Sequence, residues 1–552
     1  MRGTNKKRYR LLILAVSVFF FSALKSQSVW ESQNNEIYNY LYRMAQKGLL
    51  VFNDNIRPLS RTYLEQCLDS VSAKAGLLTP VEKKELIFYR KEYSDIEKID
   101  AIDTTDRMHF FSKDKARRDR FAYYNNNHFV LQADPVITAA TFQSNQQHVK
   151  QYSSGINLHG YAGKHWAYYF SLNDVNEKGP GLDTTRQFTP ATGINTKIAA
   201  DGKSQNYTEL RAGIAYSWNN GSLSFGQDQP TWGYGENGRI VLSGKSPAYP
   251  YIRFDYQPTR WLHFNYMHAW LNSDILDSAR TYSTGVSSYG GQRQFYISKF
   301  MAMHSIQFTP TRGLDITVGE SIIYSDRLDI GYLVPISFFK VYDNLVNNNN
   351  INAGSNGQLF FQVSSRNNIR KTHLYGTLFI DEIRIGAIFN DSSRRNQLGY
   401  TLGASITDIF IPYLTMGLEY TRINPFVYRN LIPAQNYTSS NYVLGDWMGN
   451  NADRWIYTLR YTPAPKLKCL FRYQFLRKGS PGTLDQQYFQ QPEPPFLFGL
   501  QSKQTEYHLQ CSYEWINKLY LNTYFNSLRI DNRVTGLITT ENVFSIGMSY
   551  GL

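Results

Sequence analysis

The chain has little cysteine, no histidine cluster and, beyond Leu24, no apolar run long enough to cross a membrane as a helix. Three cysteines in 552 residues, Cys67, Cys469 and Cys511, are too few for a disulfide framework. Cys469 and Cys511 both fall on the apolar phase of their segments and read as small lipid-facing hydrophobes, a bridge being the less favoured alternative. His159, His165, His268, His304, His373 and His508 are scattered without metal-ligand spacing, so no metal or cofactor is expected. No phosphate-cradling glycine loop occurs. His263 has Asn265 beside it in the same phase, but nothing nominates a nucleophile, so no catalytic residue is assigned and the chain reads as a non-enzyme.

What is present begins with an export signal. Arg2, Lys6, Lys7, Arg8 and Arg10 precede the apolar stretch Leu11–Leu24, and Ser26 offers a cleavage point, giving a signal peptide over 1–26. Its six basic residues and absence of acids reduce the formal charge from +14 to +8 in the mature chain. That excess favours acidic glycans or lipopolysaccharide phosphates, while an exported chain without a basic stripe is a poor nucleic-acid binder. Aromatics are 15%, with 42 Tyr and 33 Phe, yet mean hydropathy is −0.43. A barrel with aromatic girdles and a wet interior has this profile, as does a secreted sandwich, so composition alone does not choose.

Periodicity does. From His128 onward, segments alternate apolar and polar residues: Leu210-Ala212-Ile214-Tyr216-Trp218 against Glu209, Arg211, Gly213 and Ser217; Ile252-Phe254-Tyr256 against Arg253 and Asp255; Tyr507-Leu509-Cys511-Tyr513-Trp515 against His508, Gln510, Ser512 and Glu514. At the C-terminus Phe544, Ile546, Met548, Tyr550 and Leu552 share one face, as a closing strand needs. Short connections near Pro258, Thr311-Arg312-Gly313, Pro463 and Asn517 alternate with long polar ones over about 176–205, 272–299, 424–453 and 478–503. Tight periplasmic turns and long external loops make that asymmetry. The fold class expected is an all-β transmembrane barrel of about 18 antiparallel strands over 128–552, in the outer membrane of a Gram-negative bacterium, inserted there by barrel-assembly machinery. Glu320 fits badly, being in phase with lipid-facing Ile316, Val318 and Ile322; a bulge at Gly319 is one way to turn it inward. The run Asn347–Asn350 reads as a loop or turn tip.

Residues 27–100 have helical spacing instead and form a small helical domain. Ile37, Leu41, Met44 and Ala45 end at Gly48; Ser60 caps a second helix; Thr79, Pro80 and Glu82 begin a third. The charged stretch 101–127 reads as a linker.

The most individual segment runs from Phe225 to Arg239 and on through Leu242-Ser243 to Pro250-Tyr251-Ile252. Its glycines permit a loop folded into the barrel; Trp232 and Tyr234 offer flat faces for sugar rings, and Glu236, Asn237 and Arg239 offer hydrogen bonds and charge. Packing alone explains such a loop equally well. With Val318-Gly319-Glu320-Ser321, Tyr324, Leu444-Gly445-Asp446 and Gly449-Asn450-Asn451-Ala452-Asp453, this segment resembles the capsule assembly protein Wzi family. Gly48-Leu49-Leu50 and Ile56-Arg57-Pro58-Leu59-Ser60-Arg61 look like the helical front of related proteins in Bacteroidetes-type bacteria. Departures are Gln227 in place of a basic residue and Tyr234 in place of proline. The resemblance implies an 18-stranded barrel with the helical domain 27–100 at its periplasmic end, which binds capsular polysaccharide and helps organise capsule without catalysis, with outer-membrane lipid and lipopolysaccharide around it. A diffusion channel for sugars or small solutes is the alternative. Candidate polysaccharide-binding residues are Trp232, Tyr234, Glu236, Asn237, Arg239, Arg253, Asp446 and Trp447. Lumen-phase Arg211, Arg253, Arg384, Arg454, Arg460 and Arg472 either make a positive interior for acidic glycan or pair with Asp228, Asp255, Glu419 and Glu514 to stiffen the lumen.

Overall fold

The computed structural model describes residues 28–93, 107–114, 117–126, 128–145, 147–189, 192–199, 202–287, 290–347, 354–382 and 396–551. The expected signal peptide and Arg384 lie outside these residues, as does most of the Asn347–Asn350 run.

Eighteen antiparallel strands close into a barrel: β1 (Phe129–Ser144), β2 (Gln147–Ala162), β3 (Trp166–Lys178), β4 (Ser204–Trp218), β5 (Gly221–Asp228), β6 (Tyr249–Thr259), β7 (Leu262–Leu276), β8 (Tyr296–Thr311), β9 (Leu314–Ser325), β10 (Asn356–Arg366), β11 (Thr372–Glu382), β12 (Gln397–Thr407), β13 (Leu414–Ile423), β14 (Ala452–Ala464), β15 (Leu467–Lys478), β16 (Ser502–Ile516), β17 (Leu519–Asn532) and β18 (Ile538–Tyr550). The seam is β18 on β1, from Val543 opposite Ser144 to Tyr550 opposite Ile137. Closure gives each of the eighteen strands a hydrogen-bonded neighbour on both sides, as strands in hydrocarbon require. Outward residues such as Phe225 and Ile546 are about half exposed, while their inward neighbours Gly226 and Ser545 are buried.

One end carries the tight turns, including 219–220, 312–313 and 517–518, and the other the long connections at 179–203, 277–295, 326–355, 424–451 and 479–501. The 101–127 stretch expected to be a linker contains two strands, His109–Lys113 and Asp119–Asn125, the second pairing with β1 beside the seam. Its alternation is short and interrupted by charge, which hid it from a pattern search.

Three helices, α1 (Ile37–Gln46), α2 (Arg61–Ser72) and α3 (Pro80–Tyr93), pack around Ile37, Leu41, Met44, Leu64, Leu68, Val71 and Leu86. Their starts follow the sequence: Ser60 Oγ accepts from Tyr63 N at 3.2 Å, and Thr79 N donates to Glu82 Oε2 at 2.9 Å. Gly48, at φ +74°, follows α1 where a Cβ would meet the Asn367 amide at 2.3 Å, so the helical unit sits hard against a barrel turn. It closes the tight-turn end from many sides. Ser28 reaches Ser217, Arg253 donates to Pro58 O, Asn55 reaches Thr317, and Tyr42 and Gln46 reach Ser405.

From the opposite end, residues 229–248 fold down the lumen. Thr231–Trp232 pairs with Ile56–Arg57 of the helical unit on one side and with Leu242–Ser243 on the other. Residues 424–451 follow it inward, and together they bury Val241, Tyr428, Tyr437 and Leu444 against inward-facing Met267, Met301, Met303, Phe360 and Phe379. Part of the lumen is thus a dry core rather than the wet interior composition suggested.

Two further sequence expectations are corrected. Cys469 and Cys511 lie directly opposite each other on β15 and β16 and form a disulfide. They share the outward phase as expected, but the register also makes them neighbours. Glu320 needs no bulge: from Ile316 to Ile323 β9 keeps regular register with both neighbours, the one shift lying at the turn end between Phe308 and Thr311, and the carboxylate stays on the outer face, covered by the start of a short helix in the 326–355 connection.

Candidate functional site

The descending loop reverses at Gly235–Gly238, where a Cβ on Gly235 would sit 2.0 Å from Gly238 O, so only glycine allows the turn. The turn carries Glu236 and Asn237 to a shelf against β13, β14 and β15. Glu236 accepts hydrogen bonds from Nη1 and Nη2 of Arg460, and its backbone N–H donates to Glu419 at 2.9 Å. Asn237 donates to Gln474 at 3.0 Å, accepts from Lys245 Nζ at 2.9 Å, and through its carbonyl accepts from Trp447 Nε1 at 2.6 Å. Lys245 Nζ stands 5.6 Å over the Trp447 ring, with the Arg454 guanidinium at 5.5 Å. Glu236, Asn237, Lys245 and Trp447 are each partly open to solvent, and Arg472, 3.5 Å from Glu506, extends the shelf along β15.

The expected residues therefore divide. Glu236, Asn237 and Trp447 meet on the shelf. Trp232, 1% exposed, lies mid-sheet with its ring edge-on to Phe360, and Tyr234 is buried beside His373 and Tyr375 under the Arg366 guanidinium; neither presents a face to a sugar. Arg253 is buried on Asp255, Pro58 O and the Trp30 ring, holding the helical unit. Asp446 is buried on Arg454, with oxygen–nitrogen distances of 2.7 and 3.2 Å. Arg239 is partly open, and its Nη1 is buried without a hydrogen-bond partner among the described residues. The pairing alternative holds for several arginines: Arg211 binds Asp228, Arg253 binds Asp255, and Arg454 lies 3.8 Å from Glu419.

Sequence reading missed Lys245. It lies in the quoted segment, but only the fold brings it over Trp447. Burial, then Arg454, pulls the Lys245 ammonium down to about 8. Burial, then Arg57, lowers Arg239 to about 10. For Glu236 burial alone would raise the carboxyl, but Arg460 holds it below its ordinary range. The shelf thus offers a flat indole, an amide, an ionised carboxylate and cations. Among the described residues no group of three or more His, Cys, Asp or Glu is placed to hold a metal.

A cleft of about 410 Å³ opens at the long-loop end between the 326–355 connection and the inward loops, lined by Arg429, Asn430, Tyr488 and Asn356 and, deeper, by Lys340 and Glu320.

A closed 18-strand barrel of the outer-membrane type, filled by its own helices and inward loops, is the class these features define. The chain belongs to the capsule assembly protein Wzi family, whose model matches residues 131–535. Among solved structures it is similar to Escherichia coli Wzi, described as an outer membrane protein involved in group 1 capsule assembly and a carbohydrate-binding β-barrel, with TM-score 0.58 and 12% identity over 96% of this chain and 100% of that one. OccAB2 of Acinetobacter baumannii matches with TM-score 0.44 and 11% identity over 76% of this chain and 97% of that one. No curated protein sequence matches.

Proposed function

We propose that this protein is exported to the outer membrane of a Gram-negative bacterium, binds acidic surface polysaccharide there, and supports capsule assembly without catalysing a reaction. The observation that carries this reading is the lumen shelf, where Trp447, Lys245, Asn237 and Glu236 come together, each only partly buried. An indole face takes the apolar side of a sugar ring, the amide and carboxylate take hydroxyls, and Lys245 with Arg472 attracts acidic groups. A plug touching strands around the whole tight-turn end argues against a diffusion channel. The rim cleft supports a second seat for the same ligand, since Arg429, Tyr488 and Asn356 supply the same chemistry nearer the cell surface.

Binding of an acidic capsular oligosaccharide to the purified barrel tests this. Trp447→Ala with Lys245→Met is expected to weaken binding at least tenfold while heat-modifiable folding stays intact. Unchanged binding that is lost with Arg429→Ala and Tyr488→Ala moves the site to the rim. No binding by the unaltered protein to acidic or neutral glycans overturns the proposal.

A further inference from the structure

The connection between β9 and β10 does not stand out from the rim. It turns back down the outside of the wall and ends in a helix, α4 (Phe339–Val346). Tyr332 and Phe339 are buried against outward-facing Tyr266, Phe300, Ala302, Ile322 and Tyr324, with the Phe339 ring 4.5 Å from His304 and Tyr332 4.5 Å from Tyr324. At the start of α4 the backbone N–H groups of Phe339 and Lys340 donate to the Glu320 carboxylate at 2.9 and 2.6 Å. Glu320 lies five residues below Ser325, the upper end of β9. At about 3.3 Å per residue and a tilt near 40° that is roughly 13 Å down the wall, about half of a ~25 Å apolar band.

The polarity of this flap is inverted relative to a loop in water. Two of its carboxylates face inward and are satisfied: Asp343 accepts from Tyr332 Oη at 3.1 Å and Ser355 N at 2.9 Å, and Asp329 accepts from Tyr342 Oη at 2.8 Å; Asp326, at the rim end of the flap, stays exposed. Its exposed side chains are mainly apolar, with Ile330, Ile336, Phe338 and Leu345 at 75, 80, 72 and 74% exposure, and Lys340 and Asn344 on α4 are exposed beside them. That surface continues the apolar wall of Val318, Leu359 and Phe361 on β9 and β10. An exposed apolar patch of this kind requires an apolar neighbour, and continuity with the wall names it.

We infer that residues 326–347 form a flap immersed in the outer leaflet, whose outward side chains contact lipid acyl chains and whose inward side screens Glu320 and His304 from hydrocarbon. This rests on the reading that the barrel spans the outer membrane.

Site-directed spin labelling in proteoliposomes tests it, comparing relaxation by oxygen, which concentrates in lipid, with relaxation by a water-soluble nickel chelate. Labels at Ile336→Cys and Leu345→Cys are expected to favour oxygen to the same degree as a wall label at Phe361→Cys, and opposite to a label at Tyr282→Cys in an external hairpin. Nickel access at Ile336 and Leu345 equal to that at Tyr282 overturns the inference, as does protection from both reagents, which marks a protein neighbour. Nickel access at Phe361 itself instead refutes the membrane-spanning reading.

Discussion

Replacing Asp54 by Asn should loosen the helical plug without unfolding the barrel. Asp54 is buried between two cations: Arg366 at the end of β10 and Arg57, whose Nη2 lies 2.6 Å from Oδ2. Arg366 also donates to Phe52 O and spreads over the Tyr42 and Tyr234 rings, so one carboxylate ties together the helical unit, the wall and the descending loop. Removing it leaves a buried guanidinium short of its counter-charge, which costs about 3–5 kcal/mol. At tenfold per 1.4 kcal/mol the undocked fraction rises by roughly a hundred- to several-thousand-fold. Hydrogen exchange of the α1–α3 amides reads this directly, with β1–β18 as internal reference. Asp54→Asn with Arg366→Gln should recover part of the loss, because the stranded charge goes too. Protection of α1–α3 falling by less than tenfold would refute the reasoning. The pH dependence follows from the same pair. Burial alone would raise the Asp54 carboxyl, but Arg366 and then Arg57 hold it well below its ordinary 3.8. Its contribution is therefore full above about 3.8 and is lost only as pH falls below that toward the depressed value, so the plug should stay docked at pH 4.5.

Three further outcomes are expected. Lys245, at about 8, discharges as pH rises from 7 to 9.5, so affinity for an acidic oligosaccharide should fall several-fold, and Lys245→Met should flatten that profile; an unchanged slope in the variant removes Lys245 from the site. The Cys469–Cys511 bridge spans a separation of 42 residues, worth at most about 4 kcal/mol by chain entropy, so Cys469→Ser with Cys511→Ser should lower the urea midpoint in detergent; no shift shows the bridge to be energetically idle. In planar bilayers the unaltered protein should show no steady open steps, and sustained conductance would contradict a plug that closes the tight-turn end.

The barrel was legible because a strand whose faces see different solvents must alternate, and 18 repetitions of that constraint outweigh any local ambiguity. Helix starts were legible because Ser60, Thr79 and Glu82 act within four residues of themselves. What sequence could not give was long-range placement. Trp232 looked like a sugar platform because glycines and an aromatic suit an exposed loop equally well. Its strand instead pairs with Ile56–Arg57, far away in sequence, and that pairing buries it. Cys469 and Cys511 had the right phase, but their register depends on how the 479–501 connection is accommodated, which no period reports.

Glu320 shows how far a physical objection can be trusted when its remedy is wrong. Placing an acid in phase with Ile316, Val318 and Ile322 correctly identified a charge that bare lipid would penalise by a few kcal/mol. A bulge would have moved the charge; the fold moves the surroundings, bringing two backbone N–H groups and a ring of aromatics to it. The same reasoning applies inside the barrel. Asp446, Glu419 and Arg454 carry the chemistry of a ligand site, yet each is buried on its neighbours. Charged residues in a barrel become candidates for binding only where the plug leaves them partly unburied, and on the shelf that criterion keeps Glu236, Lys245, Arg460 and Arg472 while discarding Arg253 and Asp446.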